Sequence, residues 1–246
     1  MRSSRLPFKT LAGATIVFDL DGTLVDTAPD IMGALNTILA EDGLAPASLA
    51  RTKSMIGRGG RALVALAFEA AGHPLTEPRV DELFRRFTDV YRGRIARDSR
   101  PFPGAVAALD SLAAQGARLA VCTNKRTELS VALLSELSLF SRFAAVVGAD
   151  NAPAAKPDPR HLLVAIELAG GRPSQAVMVG DSLSDADAAR AAGVPLILVD
   201  FGYTDIPARD LAPDILIGHF DELPAACTRL LGAGAEVIAP SPATDA

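Results

Sequence analysis

The sequence of 246 residues predicts an α/β fold: a Rossmann-like parallel sheet whose core is interrupted by an inserted all-helical domain. Short apolar runs without polar alternation are typical of strands that are covered on both faces. These runs alternate with helical patterns, which implies parallel strands joined by right-handed crossovers. The insert is predicted because no convincing strand occurs from about residue 27 to residue 98.

Five apolar runs are the predicted strands, at 14–18, 118–122, 144–147, 176–179 and 195–199. Four helical patterns lie between or beside the later strands, at 104–115, 128–137, 159–169 and 184–192. Gly116, Gly170 and Gly193 follow three of these helices, where glycine favours the left-handed backbone that ends a helix. Inside the strand-free stretch, apolar residues recur at 3-4 spacing from Val80 to Tyr91, which predicts an amphipathic helix.

We therefore expect a core domain formed by 11–26 and 99–231, a helical domain at 27–98, and flexible termini at 1–10 and 232–246. The tail is rich in Gly, Ala, Pro and Ser, which suits a loose chain end. In an open parallel sheet, ligands bind beyond the carboxyl ends of the strands, so functional side chains are expected there.

Composition argues against several classes of function. The 24 Lys and Arg against 29 Asp and Glu give a formal charge of −5, which disfavours a nucleic-acid or anionic-membrane partner. Two cysteines, Cys122 and Cys227, are too few for a disulfide framework and favour a reducing compartment. The apolar stretch after the basic start is short for a signal peptide, and no run is long enough to span a membrane. We expect a cytoplasmic protein.

Two aspartates follow the first predicted strand. Asp19 and Asp21 are two positions apart on an extended segment, so they point to the same side, and Gly22 permits a sharp turn after them. Two carboxylates this close repel each other unless a cation lies between them, so the pair indicates a metal site or an acid/base pair. A solvated loop start is the simpler alternative. A calcium-binding EF-hand loop fails, because Leu24 stands where that loop requires glycine.

Polar residues also follow the next predicted strands. Thr123 and Asn124 end the second strand and offer a hydroxyl, an amide and nearby backbone N–H groups to phosphate oxygens, although such a pair is also ordinary in turns. Lys156 precedes the helix at 159–169. It is either a solvated loop lysine or a positive charge directed at a phosphate or a carboxylate.

The fourth predicted strand ends in two further aspartates, Asp181 and Asp185, which suit a hard cation with oxygen ligands. Their alternative is a capping cluster at a helix start, and we expect Ser184 to cap that helix while Asp181 binds. Successive strand ends thus supply an acidic metal cradle, donors for phosphate oxygens and a balancing lysine. Ordinary core packing does not require that combination.

These four groups resemble the four motifs of the haloacid dehalogenase superfamily of phosphohydrolases and extend from Asp19 to Gly193. The helical stretch directly after the first strand is similar in position to that superfamily's helical cap. Closer similarity to bacterial phosphoglycolate phosphatases lies in the segments FDLDGTLVDTAPD (18–30), IGRGGRAL (56–63), FPG (102–104) and CTNK (122–125). The resemblance covers nearly the whole chain except its two ends.

The resemblance implies catalytic and metal-binding roles. Asp19 is the expected nucleophile, which becomes an aspartyl phosphate, and Asp21 is the expected acid and base. Mg²⁺ is expected to bind a carboxylate oxygen of Asp19, the backbone carbonyl of Asp21 and Asp181. Asp185 is expected to hold a metal-bound water or Lys156 from behind.

The resemblance also implies which residues contact the substrate. Thr123, the backbone of Asn124 and Lys156 are expected to bind the phosphoryl oxygens. The cap is expected to close over the site and to select the substrate. Arg58 and Arg61, in its glycine-rich loop, are either ligands of a substrate carboxylate or solvated residues beside a hinge. The family more often has a small or amide residue where Arg58 stands.

The predicted function is a magnesium-dependent phosphomonoester hydrolase, with 2-phosphoglycolate as the expected substrate. The alternatives are a phosphatase for another small phosphate ester or sugar phosphate, a phosphomutase of the β-phosphoglucomutase type, and a non-catalytic binding protein of the same fold. The expected partner is a small phosphorylated molecule, without nucleic acid or membrane, and the chain is expected to be a monomer or homodimer.

Overall fold

The computed structural model describes residues 10–204 and 206–232. The strands of these residues are β1 (Thr15–Phe18), β2 (Val25–Asp26), β3 (Arg100–Pro101), β4 (Arg118–Thr123), β5 (Ala145–Gly148), β6 (Ala176–Gly180), β7 (Leu196–Val199) and β8 (Ile215–Ile217). The helices are α1 (Ala28–Glu41), α2 (Leu49–Met55), α3 (Gly60–Ala70), α4 (Glu77–Arg92), α5 (Ala105–Ala114), α6 (Thr127–Glu136), α7 (Pro159–Leu168), α8 (Leu183–Ala192) and α9 (Leu223–Gly232). Short 3₁₀ turns lie at Phe140–Arg142, Pro173–Gln175, Ala208–Leu211 and Phe220–Glu222.

One parallel sheet carries the core, with its strands in the order β5-β4-β1-β6-β7-β8. Side chains alternate between its two faces, so Ile16 and Phe18 of β1 join one apolar cluster and Val17 joins the other. The first face packs against α5 and α9, and the second against α7 and α8. Because both faces are covered, the strands are apolar throughout, which is the pattern that predicted them.

The sequence prediction of the fold class is confirmed, and each predicted strand and helix of the core is present to within about one residue at either end. Gly116, Gly170 and Gly193 have positive φ angles of 91°, 73° and 65°, as expected after helices. The short strands β2, β3 and β8 and the helix α9 were not predicted. The prediction that Ser184 caps α8 is wrong, because the side chain of Ser182 accepts the bond from the Asp185 amide.

The helices α1 to α4 form the insert between β2 and β3. α4 buries Val80, Leu83, Phe87 and Tyr91 on one side and packs against α1 and α3, so the amphipathic helix expected here is present. Across the described ranges, none of the helices combines the length and the apolar character needed to cross a bilayer. The expected flexible termini, 1–10 and 232–246, fall almost entirely outside the described residues.

The chain leaves the core and returns to it through one antiparallel ribbon, in which β2 pairs with β3. Asp30, in the first turn of α1, stabilises this connection between the core and the insert. Its Oδ2 accepts bonds from the amides of Asp98 (2.9 Å) and Ser99 (2.8 Å) and from the Ser99 hydroxyl (2.7 Å). Burial alone would raise the pKa of Asp30, but these donors, with Arg94, outweigh it and lower the pKa below its usual value.

Replacing Asp30 with Asn is expected to lower the free energy of unfolding by about 2 kcal/mol at neutral pH, because an amide cannot accept the same set of bonds. A carboxylate with a lowered pKa contributes stability that is present above about pH 4 and lost as pH falls through the folded-state pKa. Urea unfolding should therefore show that the difference in free energy of unfolding between the parent and Asp30→Asn becomes smaller at acidic pH than at neutral pH.

The matched control is Asp98→Asn, because the Asp98 side chain is half exposed and pairs with Arg94 at 3.3 Å. We expect this variant to stay within about 0.5 kcal/mol of the parent. If Asp30→Asn lost the same free energy of unfolding at every pH, the ionised Asp30 carboxylate would not be the source of this stability.

Candidate active site

Three buried carboxylates meet at the carboxyl edge of the sheet. Asp19 directly follows β1, Asp181 follows β6, and Asp185 lies in the first turn of α8. One oxygen from each lies within 4.8 Å of the others, and the residues are only 4%, 2% and 0% exposed. β1 and β6 are neighbours in the sheet, and this adjacency brings together aspartates that are about 160 positions apart in sequence.

Lys156 reaches this cluster from the loop between β5 and α7. Its Nζ lies 3.0 Å from Asp19 Oδ1 and 2.6 Å from Asp185 Oδ1, and it donates to the Cys122 carbonyl at 2.7 Å. Burial disfavours the ammonium, but the two carboxylates outweigh burial and raise the pKa of Lys156. Lys156 is therefore a fixed positive charge, not the solvated loop lysine that was the alternative.

The other oxygen of Asp185 accepts three bonds, from the amides of Asp181 (3.2 Å) and Ser182 (3.1 Å) and from the Ser182 hydroxyl (2.6 Å). With Lys156 on the first oxygen, Asp185 is fully engaged. A Cβ at Gly180 would lie 2.4 Å from the Asp185 carboxyl carbon, so β6 needs glycine where this side chain packs. Asp185 thus has the geometry of a support for Lys156.

Asp181 is held by Thr23 and by the backbone of Tyr203. The Thr23 hydroxyl donates to Oδ1 at 2.8 Å, and the Tyr203 amide donates to Oδ2 at 2.7 Å. A Cβ at Gly22, where φ is +86°, would lie 2.5 Å from Oδ2, and a Cβ at Gly202 would lie 2.6 Å from it. The backbone approaches this carboxylate so closely that only glycine fits at either position.

The carboxylates carry more negative charge than Lys156 offsets. Burial raises the pKa of Asp19 to about 6, since Lys156 only partly opposes burial and the charges of Asp185 and Asp21 add to it. Burial and the charges of Asp185 and Asp19 raise the pKa of Asp181 to about 8. Buried oxygen ligands that are short of positive charge suit a hard divalent cation, so Asp19 and Asp181 fit a metal site.

Asp21 has partners other than the cluster of Asp19, Asp181 and Asp185. Its Oδ1 accepts a bond from the Thr27 hydroxyl at 2.7 Å, and the ammonium of Lys125 contacts both carboxylate oxygens at 2.9 Å. Lys125 Nζ also lies 4.6 Å from the centre of the Tyr91 ring. The sequence analysis missed Lys125, although it directly follows the Thr123-Asn124 pair.

Thr123 and Asn124 end β4 beside Lys156. The Thr123 hydroxyl, in a residue that is 1% exposed, accepts a bond from the Lys125 amide at 3.2 Å. The side-chain amide of Asn124 bonds the backbone of Lys156 at both N and O (3.0 Å each) and the carbonyl of Gly57 (3.0 Å). That amide therefore connects two loops, the one that carries Lys156 and the one that carries Gly57.

His161 is a second residue that the sequence analysis missed. Its Nδ1 accepts a bond from the Lys156 amide at 3.2 Å, and its Nε2 lies 3.2 Å from the Val147 carbonyl, to which it donates. Burial lowers the pKa of His161 to about 4, so the ring is neutral and fits one acceptor and one donor. Its role is to hold the backbone of the Lys156 loop.

A cavity of about 340 Å³ lies between the sheet edge and the helical insert. Its lining includes the polar residues Asp19, Asp21, Thr123 and Lys156 and the apolar residues Leu63, Phe84, Phe87 and Leu129. Arg58 and Arg61 also line it. Arg61 already has acidic partners, because its guanidinium pairs with Glu77 and, at 2.7 Å, with Asp81.

The parallel sheet, the helical insert and the buried aspartate–lysine cluster at the strand ends together define a phosphatase-type hydrolase. A model of the haloacid dehalogenase-like hydrolases matches residues 14–193, so the chain belongs to this family, as its motifs indicated, and it is an enzyme that hydrolyses phosphoric monoesters.

Similar proteins carry a more particular name. A phosphoglycolate phosphatase of Caulobacter vibrioides is 55% identical over 90% of this chain and 93% of its own length. A phosphoglycolate phosphatase of Agrobacterium fabrum is 46% identical over 89% of this chain and 94% of its own. The crystal structure of a predicted phosphoglycolate phosphatase from Haemophilus somnus superposes with a TM-score of 0.80 at 31% identity, covering 88% of this chain and 98% of that one.

The surplus negative charge predicts that a divalent cation stabilises the fold. Adding Mg²⁺ to chelator-treated protein is expected to raise the melting temperature by roughly 5–10 °C at about 100 times the dissociation constant. Asp181→Asn should remove most of this rise, because the cation loses a charged ligand. Differential scanning fluorimetry measures both.

Asp110→Asn is the matched control, since Asp110 lies on α5 and pairs at the surface with Arg142. This variant is expected to respond to Mg²⁺ as the parent does. If Asp181→Asn also kept the full rise, the cation would not be bound at the cluster of Asp19, Asp181 and Asp185.

Proposed function

We propose that the protein hydrolyses 2-phosphoglycolate to glycolate and phosphate in the cytoplasm, with Mg²⁺ and through an aspartyl phosphate on Asp19. The observation that carries this proposal is the buried cluster of Asp19, Asp181 and Asp185, in which Lys156 pairs with Asp19 and both of these residues line the cavity. The substrate is suggested by the names of the relatives that match most of the chain.

Asp19 is proposed as the nucleophile. Its Oδ1 accepts a bond from the Leu20 amide at 2.7 Å and lies 3.0 Å from Lys156 Nζ, so the carboxylate is fixed in one orientation. Fixing the attacking group removes much of the entropic cost of reaching the phosphorus atom. Attack would form a bond from a carboxylate oxygen to phosphorus and break the bond from phosphorus to the glycolate oxygen.

Asp19, the backbone carbonyl of Asp21 and Asp181 would hold Mg²⁺. When bound, the cation offsets the repulsion between the carboxylate and the phosphate dianion and withdraws charge from a phosphoryl oxygen. Thr23 and the Tyr203 amide hold the Asp181 carboxylate in place for this role.

Asp21 is proposed as the acid and base. It would protonate the departing glycolate oxygen and then take a proton from the water that hydrolyses the aspartyl phosphate. Thr27 and Lys125 orient this carboxylate. The two aspartates differ in their partners, because Asp19 belongs to the cluster of buried carboxylates and Asp21 contacts Lys125.

The transferring phosphoryl group would be bound by the Thr123 hydroxyl, the Asn124 backbone and Lys156. These groups meet the oxygens over which negative charge spreads in the transition state. Asp185 would act through Lys156, which it holds at 2.6 Å, and His161 through the backbone of the same residue. Asp185 and His161 thus both help to keep the ammonium of Lys156 in position.

We propose residues 27–98 as a cap over a core of residues 11–26 and 99–231. The cavity between them has a volume of about 340 Å³, at the lower end of the usual range for ligand pockets, which suits a small substrate. Closure of the cap would exclude water from the phosphoryl group. Arg58, on the glycine-rich loop, stays a candidate for substrate contact, whereas Arg61 would first have to leave Glu77 and Asp81.

Phosphate release from a panel of phosphate esters, with Mg²⁺ or with a chelator, tests the proposal. We expect the highest kcat/KM for 2-phosphoglycolate and steady release to water without a sugar bisphosphate, a requirement for which would favour a phosphomutase. Asp19→Asn should reduce turnover by at least about 10⁴-fold while the protein still folds, because an amide is a poor nucleophile. Turnover at the parent rate in this variant would refute the nucleophile assignment.

The role of Asp21 predicts that its effect depends on the leaving group. Asp21→Asn is expected to slow hydrolysis of 2-phosphoglycolate by about 10²- to 10⁴-fold, because an alkoxide needs a proton to depart. Formation of the aspartyl phosphate from p-nitrophenyl phosphate should suffer much less, since nitrophenolate departs without one. Rapid-quench measurement of the first turnover compares the two substrates. Equal losses of rate for both would contradict the assignment of Asp21 as the acid.

A further inference from the structure

Lys125 is a buried cation inside the substrate cavity, and the proposed chemistry uses it only to orient Asp21. Its side chain is 6% exposed, and its ammonium contacts both oxygens of Asp21 at 2.9 Å. The ring of Tyr91 lies below it at 4.6 Å, from ammonium to ring centre. A lysine side chain is an ammonium at neutral pH, and the contact with the Asp21 carboxylate suits that charged form.

The position of Lys125 matches that of a carboxylate in the substrate. The acid Asp21 must contact the ester oxygen that leaves phosphorus. In 2-phosphoglycolate the carboxylate is attached to the carbon next to that oxygen. A cation in direct contact with Asp21 therefore lies where the carboxylate of the bound substrate is placed.

The other cations lining this cavity are less suited to that role. Lys156 is shared between Asp19, Asp185 and a backbone carbonyl, in the position proposed for phosphoryl binding. Arg61 is paired with acids of α4 and Arg126 with Asp150, and both guanidiniums are about half exposed. Arg58 lies on the exposed cap loop. A buried, pre-placed ammonium binds a carboxylate more strongly than an exposed one, because water screens it less.

A second observation points to the same place. Within residues 10–204 and 206–232, the buried Tyr91 hydroxyl lies close to the Lys125 ammonium but has no acceptor for its own proton. Tyr91 also lines the cavity, beside Lys125. A buried hydroxyl without an acceptor is costly, and a ligand carboxylate is an acceptor that would relieve that cost.

We propose that Lys125, supported by Tyr91 from the helical insert, binds the carboxylate of the substrate and selects small phosphorylated acids over uncharged phosphate esters. Asp21 is the partner of Lys125 before the substrate arrives, and the substrate carboxylate shares the ammonium afterwards. The inference rests on the proposed phosphatase activity and adds to it the residue that recognises the carboxylate of the substrate.

The test compares 2-phosphoglycolate with 2-hydroxyethyl phosphate, in which a hydroxymethyl group replaces the carboxylate. The ratio of the two kcat/KM values is measured for the parent, Lys125→Met and Lys125→Gln. Loss of one charge-assisted hydrogen bond should lower this ratio by about 30-fold in both variants. Effects of Lys125 on Asp21 itself cancel in the ratio, because both esters need the same acid.

Binding separates recognition from chemistry. In the Asp19→Asn background, Lys125→Gln should weaken the binding of 2-phosphoglycolate by about 30-fold and that of 2-hydroxyethyl phosphate by less than about threefold. Isothermal titration calorimetry measures both. Glutamine still donates a hydrogen bond to Asp21, so this variant is expected to fold if methionine fails.

Arg118→Met is the matched control, because Arg118 begins β4 at the opposite edge of the sheet and its removal also deletes one positive charge. It should leave the ratio unchanged. A parent that prefers 2-phosphoglycolate and Lys125 variants that keep this preference would overturn the role of Lys125 alone. A parent that hydrolyses both esters equally well would instead overturn the proposed substrate, and with it the need for a carboxylate-binding residue.

Discussion

The burial of Asp19, Asp181 and Asp185 around the ammonium of Lys156 is the constraint on which the rest of the site depends. Removing charges from water is costly unless each finds partners, so every one of these groups is held by specific donors or acceptors. The parallel sheet supplies the geometry, because β1 lies between β4 and β6 and all three carboxyl ends meet at one edge. Glycines at 22, 180 and 202 then let the backbone approach the carboxylates.

The same contacts connect the site to the helical insert. Tyr203 donates its amide to Asp181, its hydroxyl bonds Asp26 of β2, and the amide of Ala28 donates to that hydroxyl at 3.0 Å. One residue thus joins the buried Asp181 carboxylate to the strand through which the chain enters the insert. Asn124 makes a second connection, because its amide bonds both the Lys156 loop and the carbonyl of Gly57. The position of the insert is therefore coupled to the charged cluster through direct hydrogen bonds.

The sequence predicted the core strands and the charged strand ends because both depend on local patterns. β8 escaped prediction since it has only three residues at an edge of the sheet. Partners across the chain were also beyond reach: Lys125 and Asp21 are 104 positions apart, and nothing local indicates that they meet. The partners of Arg61 could not be predicted either. Its glycine-rich loop allowed a ligand-binding arginine or a solvated one, and the acids that pair with it belong to α4.

The two buried lysines of the site differ in how firmly their charges are held. Lys156 is surrounded by two carboxylates and a carbonyl, and Asn124 and His161 fix its backbone, so it has little freedom to exchange partners. Lys125 has one carboxylate, and its remaining neighbour is the face of an aromatic ring, a weaker partner than an anion. A lysine with one anion retains capacity for a second. The number of partners, not the residue type, therefore distinguishes the ammonium that is held within the charged cluster from the ammonium that can accept a further anion.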